Sequence, residues 1–272
     1  LEKSWEYAWR AASWHPVTDR FAAPFNELWS RSSDGRRDHR PALLLNGTHE
    51  ETGKRIITSN LKIEPGIYAD TFDFYDVAGY EIRLSTAVLN SARFPYVTPA
   101  GRLSRRVASA DHIVDGGYFE NFGAATAQET LRGVLKELDR TGGPKVRPVV
   151  VQISSDPALA GTDIADDERD PKAPTPVKGR SWGNEISGPL IAIFATRTAR
   201  GILAASELAQ YTRGLSDGRT TDPVFVHFRL CPEAGIPEPA LGWALSKSSE
   251  GLMSRQLRCS CNNDKALRDL LV

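Results

Sequence analysis

Asp111-His112-Ile113-Val114-Asp115-Gly116-Gly117-Tyr118-Phe119-Glu120-Asn121-Phe122-Gly123 is the stretch whose reading decides the fold. Ile113 and Val114 are β-branched and apolar, which predicts the end of a buried strand. Asp115 then meets two glycines, residues that reach backbone angles closed to others. Beyond Gly123 the run from Ala124 to Leu138 favours helix, with Leu131, Val134, Leu135 and Leu138 on one face. The pattern places a carboxylate at the carboxyl end of a strand beside a tight turn, where open α/β sheets hold their ligands. Asp-Gly is also among the commonest turn dipeptides, so these residues alone leave an ordinary turn open.

The wider stretch, Asp-Gly-Gly-Tyr-Phe-Glu-Asn-Phe-Gly, resembles the second signature of patatin-like phospholipases, a strand followed by Asp-Gly-Gly or Asp-Gly-Ala with an Asn shortly after. Leu84-Ser-Thr-Ala-Val-Leu-Asn-Ser-Ala-Arg-Phe-Pro95 resembles that family's helix ending in a Ser-Ala-x-x-Pro corner. Pro41–Thr48 and Arg55–Asn60 resemble the strand pair before it. The resemblance covers Leu1 to Glu129 well and the remainder more loosely. It implies an α/β fold: a patatin-like three-layer sandwich with a mostly parallel central sheet between helices. One such domain is expected over residues 1–272, truncated at its N-terminus because Leu1 already sits in a helical pattern.

Composition fits this. The 272 residues carry 34 Lys+Arg against 34 Asp+Glu, so no basic face points to nucleic acid. Cys231, Cys259 and Cys261 are too few and too uneven for a disulfide framework, which leans towards a reduced compartment. Cys259-Ser-Cys261 lacks the His partners of a zinc site. The most apolar long run, Leu190–Leu208, is interrupted by Arg197, Arg200 and Glu207 and does not read as a membrane span. The N-terminus gives no reading of localisation.

Taken in order, Leu1, Trp5, Ala8, Trp9 and Ala12 predict an amphipathic helix whose tryptophans, with Trp14, pack on the sheet. A short helix follows through Phe21, Phe25, Leu28 and Trp29. Leu43–Leu45 and Arg55–Leu61 read as strands joined by the polar turn Glu50–Lys54. The aromatic and acidic region Glu64–Tyr80 reads as a loop bordering a substrate cleft. Val146–Ser154 reads as a strand parallel to the one bearing Asp115, through a right-handed crossover. Asp156–Asn184, acidic and Pro-rich, reads as a mobile loop. Glu185–Arg213 is helical, Pro223–Leu230 a late strand, and a last helix ends near Leu257.

The resemblance also implies chemistry. Patatin-like enzymes are lipid acyl hydrolases using a Ser-Asp dyad; Asp115 matches the dyad aspartate, and Gly116 and Gly117 match the turn that positions it. A carboxylate within reach of a serine can accept its proton as acyl transfer begins. The family's Gly-rich oxyanion loop and Gly-x-Ser-x-Gly elbow do not precede Asp115 here, so both are expected upstream of Leu1, and this chain alone is expected to be inactive. The one literal elbow match, Gly179-Arg-Ser181-Trp-Gly183, follows two prolines and a lysine rather than a buried strand, which makes Ser181 a weak alternative nucleophile. His112, three residues before Asp115, falls on the opposite strand face. His49-Glu50-Glu51 lacks a second His at helical spacing. No metal or organic cofactor is implied. The implied partners are a lipid or acyl-ester substrate and a peripheral membrane contact. Two other readings stay open: a non-catalytic lipid-binding module on the same scaffold, and an unrelated esterase pairing Ser181 with His227.

Overall fold

The computed structural model describes residues 1–12, 19–30, 40–94, 98–103, 111–154, 183–215, 218, 220–230, 246–259 and 263–271. The chain divides into two compact units, Leu1–Thr130 and Leu131–Val272.

The first unit is built on β1 (Leu44–His49) and β2 (Arg55–Ser59). Their connection, Glu50–Lys54, is a hairpin loop: His49 N–H donates to Lys54 O at 2.8 Å and Gly53 takes φ 69°. So short a link forces antiparallel pairing, because parallel neighbours need a crossover of a dozen residues or so. The sheet runs β3-β2-β1-β5-β4, adding β3 (Thr71–Asp73), β4 (Gly101–Arg102) and β5 (His112–Asp115). Only β2–β3 is parallel; β1–β2, β1–β5 and β4–β5 are antiparallel. The expected mostly parallel central sheet is therefore corrected: the fold is mixed α/β, and this sheet is mixed with antiparallel pairs in the majority. Every residue of β2 is buried. Ile56 packs with Phe25, Phe74, Ile82, Ala87, Leu103 and Ile113, while Ile57 packs with Ile63 and Tyr68. Alternation along the strand sends these neighbours to opposite faces, so both faces are covered.

The region Glu64–Tyr80, expected as a loop, holds β3 and the short helix α2 (Phe74–Ala78). Asp73 caps α2 by accepting from Tyr75 N–H, and Gly79 closes it in the left-handed region. Two of its aromatic residues, Tyr68 and Phe74, are buried in the core. Helix α3 (Leu84–Ser91) forms as expected. The aromatic segment after Pro24 is a 3₁₀ turn, Phe25–Trp29, with Phe25 fully buried.

Helix α1 (Glu2–Ala12) also forms, but its buried residue is a charged one. Trp9 is 48% exposed and stacks on Phe21, whereas Glu6 is 1% exposed. This corrects the expectation that the tryptophans carry the burial; Trp14 lies outside the described residues. Glu6 is stabilised there by donors: Lys3 Nζ at 2.8 Å, Ser85 Oγ at 2.9 Å and Arg83 Nη1 at 3.4 Å. The hydrogen bond from Lys3, helped by Ser85 and the nearby cations against the pull of burial, holds the Glu6 carboxyl below the ordinary 4.5. A carboxyl that ionises more readily when folded adds stability above its unfolded pKa, and that stability is lost as pH falls through the folded value. Urea midpoints measured from pH 7 down to pH 3 should fall more steeply in the wild type than in Glu6→Gln. Parallel curves would contradict this.

Helix α4 (Ala124–Thr141) runs through the division between the units. In the second unit Leu135 is buried, whereas Val134, expected on the same face, is exposed. Strand β6 (Val149–Ser154) pairs in parallel with β7 (Val224–Arg229), in a two-stranded sheet of their own. The expected parallel partnership of β6 with the Asp115 strand is thus replaced by one with β7. Between them in sequence comes α5 (Gly183–Arg213), whose Ala204, Ala205, Leu208 and Ala209 are buried. The loop expected over Asp156–Asn184 lies outside the described residues up to 182, and Gly183 and Asn184 begin α5. Helix α6 (Lys247–Cys259) is followed by α7 (Asn263–Leu271), which the sequence reading missed. The buried Asn263 joins three elements: its Oδ1 accepts from Arg229 N–H at 3.0 Å, and its Nδ2 donates to Arg229 O at 2.8 Å and Gln256 O at 3.0 Å. Among the described residues no helix is long and apolar enough to cross a membrane.

Candidate active site around Asp115

Asp115 ends β5, opposite Gly47 of β1. Its backbone is held from two sides: its N–H donates to Arg93 O at 3.2 Å, and its carbonyl accepts from Thr48 Oγ1 at 2.9 Å. The Thr48 hydroxyl also accepts from Phe119 N–H at 3.1 Å, so one side chain of β1 clamps both ends of the turn. The carboxylate is aimed by the turn itself. Its Oδ1 accepts from Gly117 N–H at 2.6 Å, capping the 3₁₀ turn Gly116–Tyr118. Such an Asx-type bond fixes the side-chain rotamer, as a positioned base requires.

The two glycines do different work from that expected. Neither takes a positive φ; the left-handed glycine of this stretch is Gly123, at φ 68° just before α4. What Gly116 supplies is the absence of a side chain. A Cβ there would lie 2.3 Å from Asn46 O and 2.8 Å from Asn46 C. Gly117 supplies the N–H that binds Asp115.

Asn46 is therefore the floor of the turn, and its own atoms are tied down. Its carbonyl accepts from Ser91 Oγ at 2.6 Å, and its Oδ1 accepts from Thr126 Oγ1 at 3.0 Å. Because the obstacle to a Cβ is backbone, rotation of a side chain cannot relieve it. Gly116→Ala should cost about 1–3 kcal/mol, the usual range for overpacking. A two-state urea titration would check this; an unchanged midpoint would show that β1 can retreat from the turn.

Glu120 is a second carboxyl, buried just after the turn. Its Oε1 accepts from Phe122 N–H, and its Oε2 accepts from Ala125 N–H at 3.2 Å, serving donors at the start of α4. Burial pushes this carboxyl up, against the pull of those backbone donors. Its bonds mark it as a cap for α4, not a partner for substrate.

Of the other residues weighed from sequence, His112 points its Nδ1 at Glu51 Oε1, 2.9 Å away. His227 lies in β7 opposite Gln152. Ser181 lies outside the described residues. Asn46, Thr48 and Thr126 were not singled out: the β1–β5 register brings Asn46 and Thr48 to the turn, and Thr126 reaches it from α4 through Asn46.

No protein-family model, curated protein or solved structure matches this chain.

Proposed function

We propose that this chain is the C-terminal portion of a lipid acyl hydrolase of the patatin-like type, with the three-layer sandwich that such a protein has. Asp115 is the base of its Ser-Asp dyad, and the serine and oxyanion loop are supplied from upstream of Leu1. The observation that carries the reading is that two other resembling segments, Pro41–Thr48 and Leu84–Pro95, meet the backbone of the Asp115-Gly116 turn. Arg93 of the Ser-Ala-Arg-Phe-Pro corner accepts Asp115 N–H, Thr48 of the first strand donates to Asp115 O, and Ser91 at the end of α3 donates to Asn46 O beneath Gly116.

In this reaction the serine hydroxyl attacks the ester carbonyl as Asp115 takes its proton. The alcohol leaves with that proton, and water then releases the acyl group from the serine with the same carboxylate as base. Developing negative charge on the carbonyl oxygen needs backbone N–H donors, which the upstream loop provides.

Hydrolysis of a short-chain nitrophenyl ester tests the proposal on two proteins: these 272 residues, and a chain extended upstream. The short chain should be inactive and the extended chain active, with Ser181→Ala leaving that activity unchanged. Inactivity of the extended chain, or its loss on Ser181→Ala, would overturn the reading.

A further inference from the structure

At the opposite end of β5 from Asp115, a second cluster of ligand-type side chains assembles around a buried imidazole. His49, last residue of β1, is 5% exposed, with its ring edge-on to Phe72 at 5.4 Å between centroids. Its Nδ1 is engaged with Thr52 Oγ1 at 2.9 Å. Its Nε2 faces two carboxylate oxygens, Glu51 Oε2 at 3.4 Å and Asp111 Oδ1 at 3.8 Å. All three ligand atoms lie within 4.8 Å of one another. Among the described residues no lysine or arginine pairs with either acid; the imidazoles of His49 and His112 lie beside them.

We infer that His49 Nε2, Glu51 Oε2 and Asp111 Oδ1 form a binding site for a divalent transition cation of the zinc type. Two atoms each about 2.0–2.1 Å from a tetrahedral Zn²⁺ stand about 3.3 Å apart, close to the His49–Glu51 spacing, and a wider angle accommodates the His49–Asp111 spacing. These separations are too long for good hydrogen bonds, and they are the separations of donors sharing an ion.

The supporting contacts fit as well. The His49 Nδ1–Thr52 Oγ1 contact suits ligation: in the tautomer protonated on Nδ1 the ring donates to the Thr52 hydroxyl and directs its Nε2 lone pair at the carboxylates, the outer-contact arrangement of ligating histidines. His112 N–H lies 3.1 Å from both oxygens of Glu51 and His112 Nδ1 lies 2.9 Å from Oε1, which fixes the carboxylate with Oε2 still facing His49 Nε2. With three protein ligands, water completes the shell.

The cation would tie the Glu50–Lys54 hairpin loop to the start of β5, reinforcing the hydrogen bonds between Glu51 and His112. Asp115 lies four residues along β5, about 13 Å away, so the role is structural.

Zinc binding to the purified 272-residue chain, followed by calorimetry and by thermal unfolding, tests this. The expected result is one Zn²⁺ per chain at micromolar concentration and a raised unfolding midpoint. Asp111→Asn, at an exposed position that leaves the fold intact, should weaken binding about tenfold or more. His49→Gln should abolish it. Absence of stoichiometric binding, or unchanged affinity in Asp111→Asn, would overturn the assignment.

Discussion

Asp115→Asn should lower kcat for ester hydrolysis by the upstream-extended chain about 10²–10⁴-fold, the share general-base catalysis ordinarily supplies. The same substitution should leave the unfolding midpoint almost unchanged. Asparagine keeps an Oδ1 to accept Gly117 N–H, and the bonds from Thr48 Oγ1 and to Arg93 O involve only the backbone of residue 115. What it cannot do is accept a serine proton at neutral pH. The separation of activity from stability is the informative part. A structural aspartate would show the reverse, with activity falling only as far as the folded fraction falls. Kinetics and urea unfolding on the same preparation read both, and a loss of kcat below about tenfold would remove Asp115 from the chemistry.

Arg55→Met should destabilise the protein by about 3–5 kcal/mol, the cost of removing one partner from a buried ion pair. The Arg55 side chain is 2% exposed. Its Nη2 lies 2.6 Å from Glu129 Oε2 and 2.8 Å from Ala69 O, its Nη1 donates to Thr126 Oγ1 at 2.7 Å, and its guanidinium lies 4.9 Å from the Phe119 ring centre. Methionine would fill the volume but leave Glu129, the Ala69 carbonyl and Thr126 without their donor. Glu129 retains Ala69 N–H at 3.1 Å and some contact with water, which places the loss towards the lower end of the range. The damage should also reach the site. Thr126 accepts from Arg55 and donates to Asn46 Oδ1, so the floor under Gly116 loses its anchor. Replacing the pair together, Arg55→Met with Glu129→Leu, should recover much of the stability. A double-mutant cycle by urea titration measures that coupling, and additive single effects would contradict a shared network.

The parts of this fold that were legible in sequence are those fixed by local pattern. Ile113 and Val114 before Asp115-Gly116 placed a strand end at Asp115, and the apolar spacing after Gly123 placed α4. The hairpin was legible because Gly53 sits in a polar turn between two apolar runs. Strand partnership was not, because it depends on contacts far apart in the chain: β6 reads as a continuation of the Asp115 strand's crossover unit and instead pairs with β7. Burial of charge was equally hidden. Arg55 follows a polar turn and Glu6 sits beside exposed aromatics, yet both are interior because specific donors and acceptors await them. Helix α7 was missed although Ala266, Leu267, Leu270 and Leu271 fall at helical spacing; the Asn263–Arg229 bonds at its start carry no local signal. The meeting of His49 and Glu51 with Asp111 was equally hidden. Glu51 and His112 are 61 positions apart, and only the antiparallel register of β1 and β5 makes them neighbours.

The most direct test of a Ser-Asp hydrolase is covalent labelling. A fluorophosphonate probe, which reacts only with an activated serine, would be applied to the upstream-extended protein and the modified peptide identified by mass spectrometry. The account predicts one labelled serine, upstream of Leu1, with labelling strongly reduced in Asp115→Asn. Labelling of Ser181, or labelling indifferent to Asp115, would contradict it.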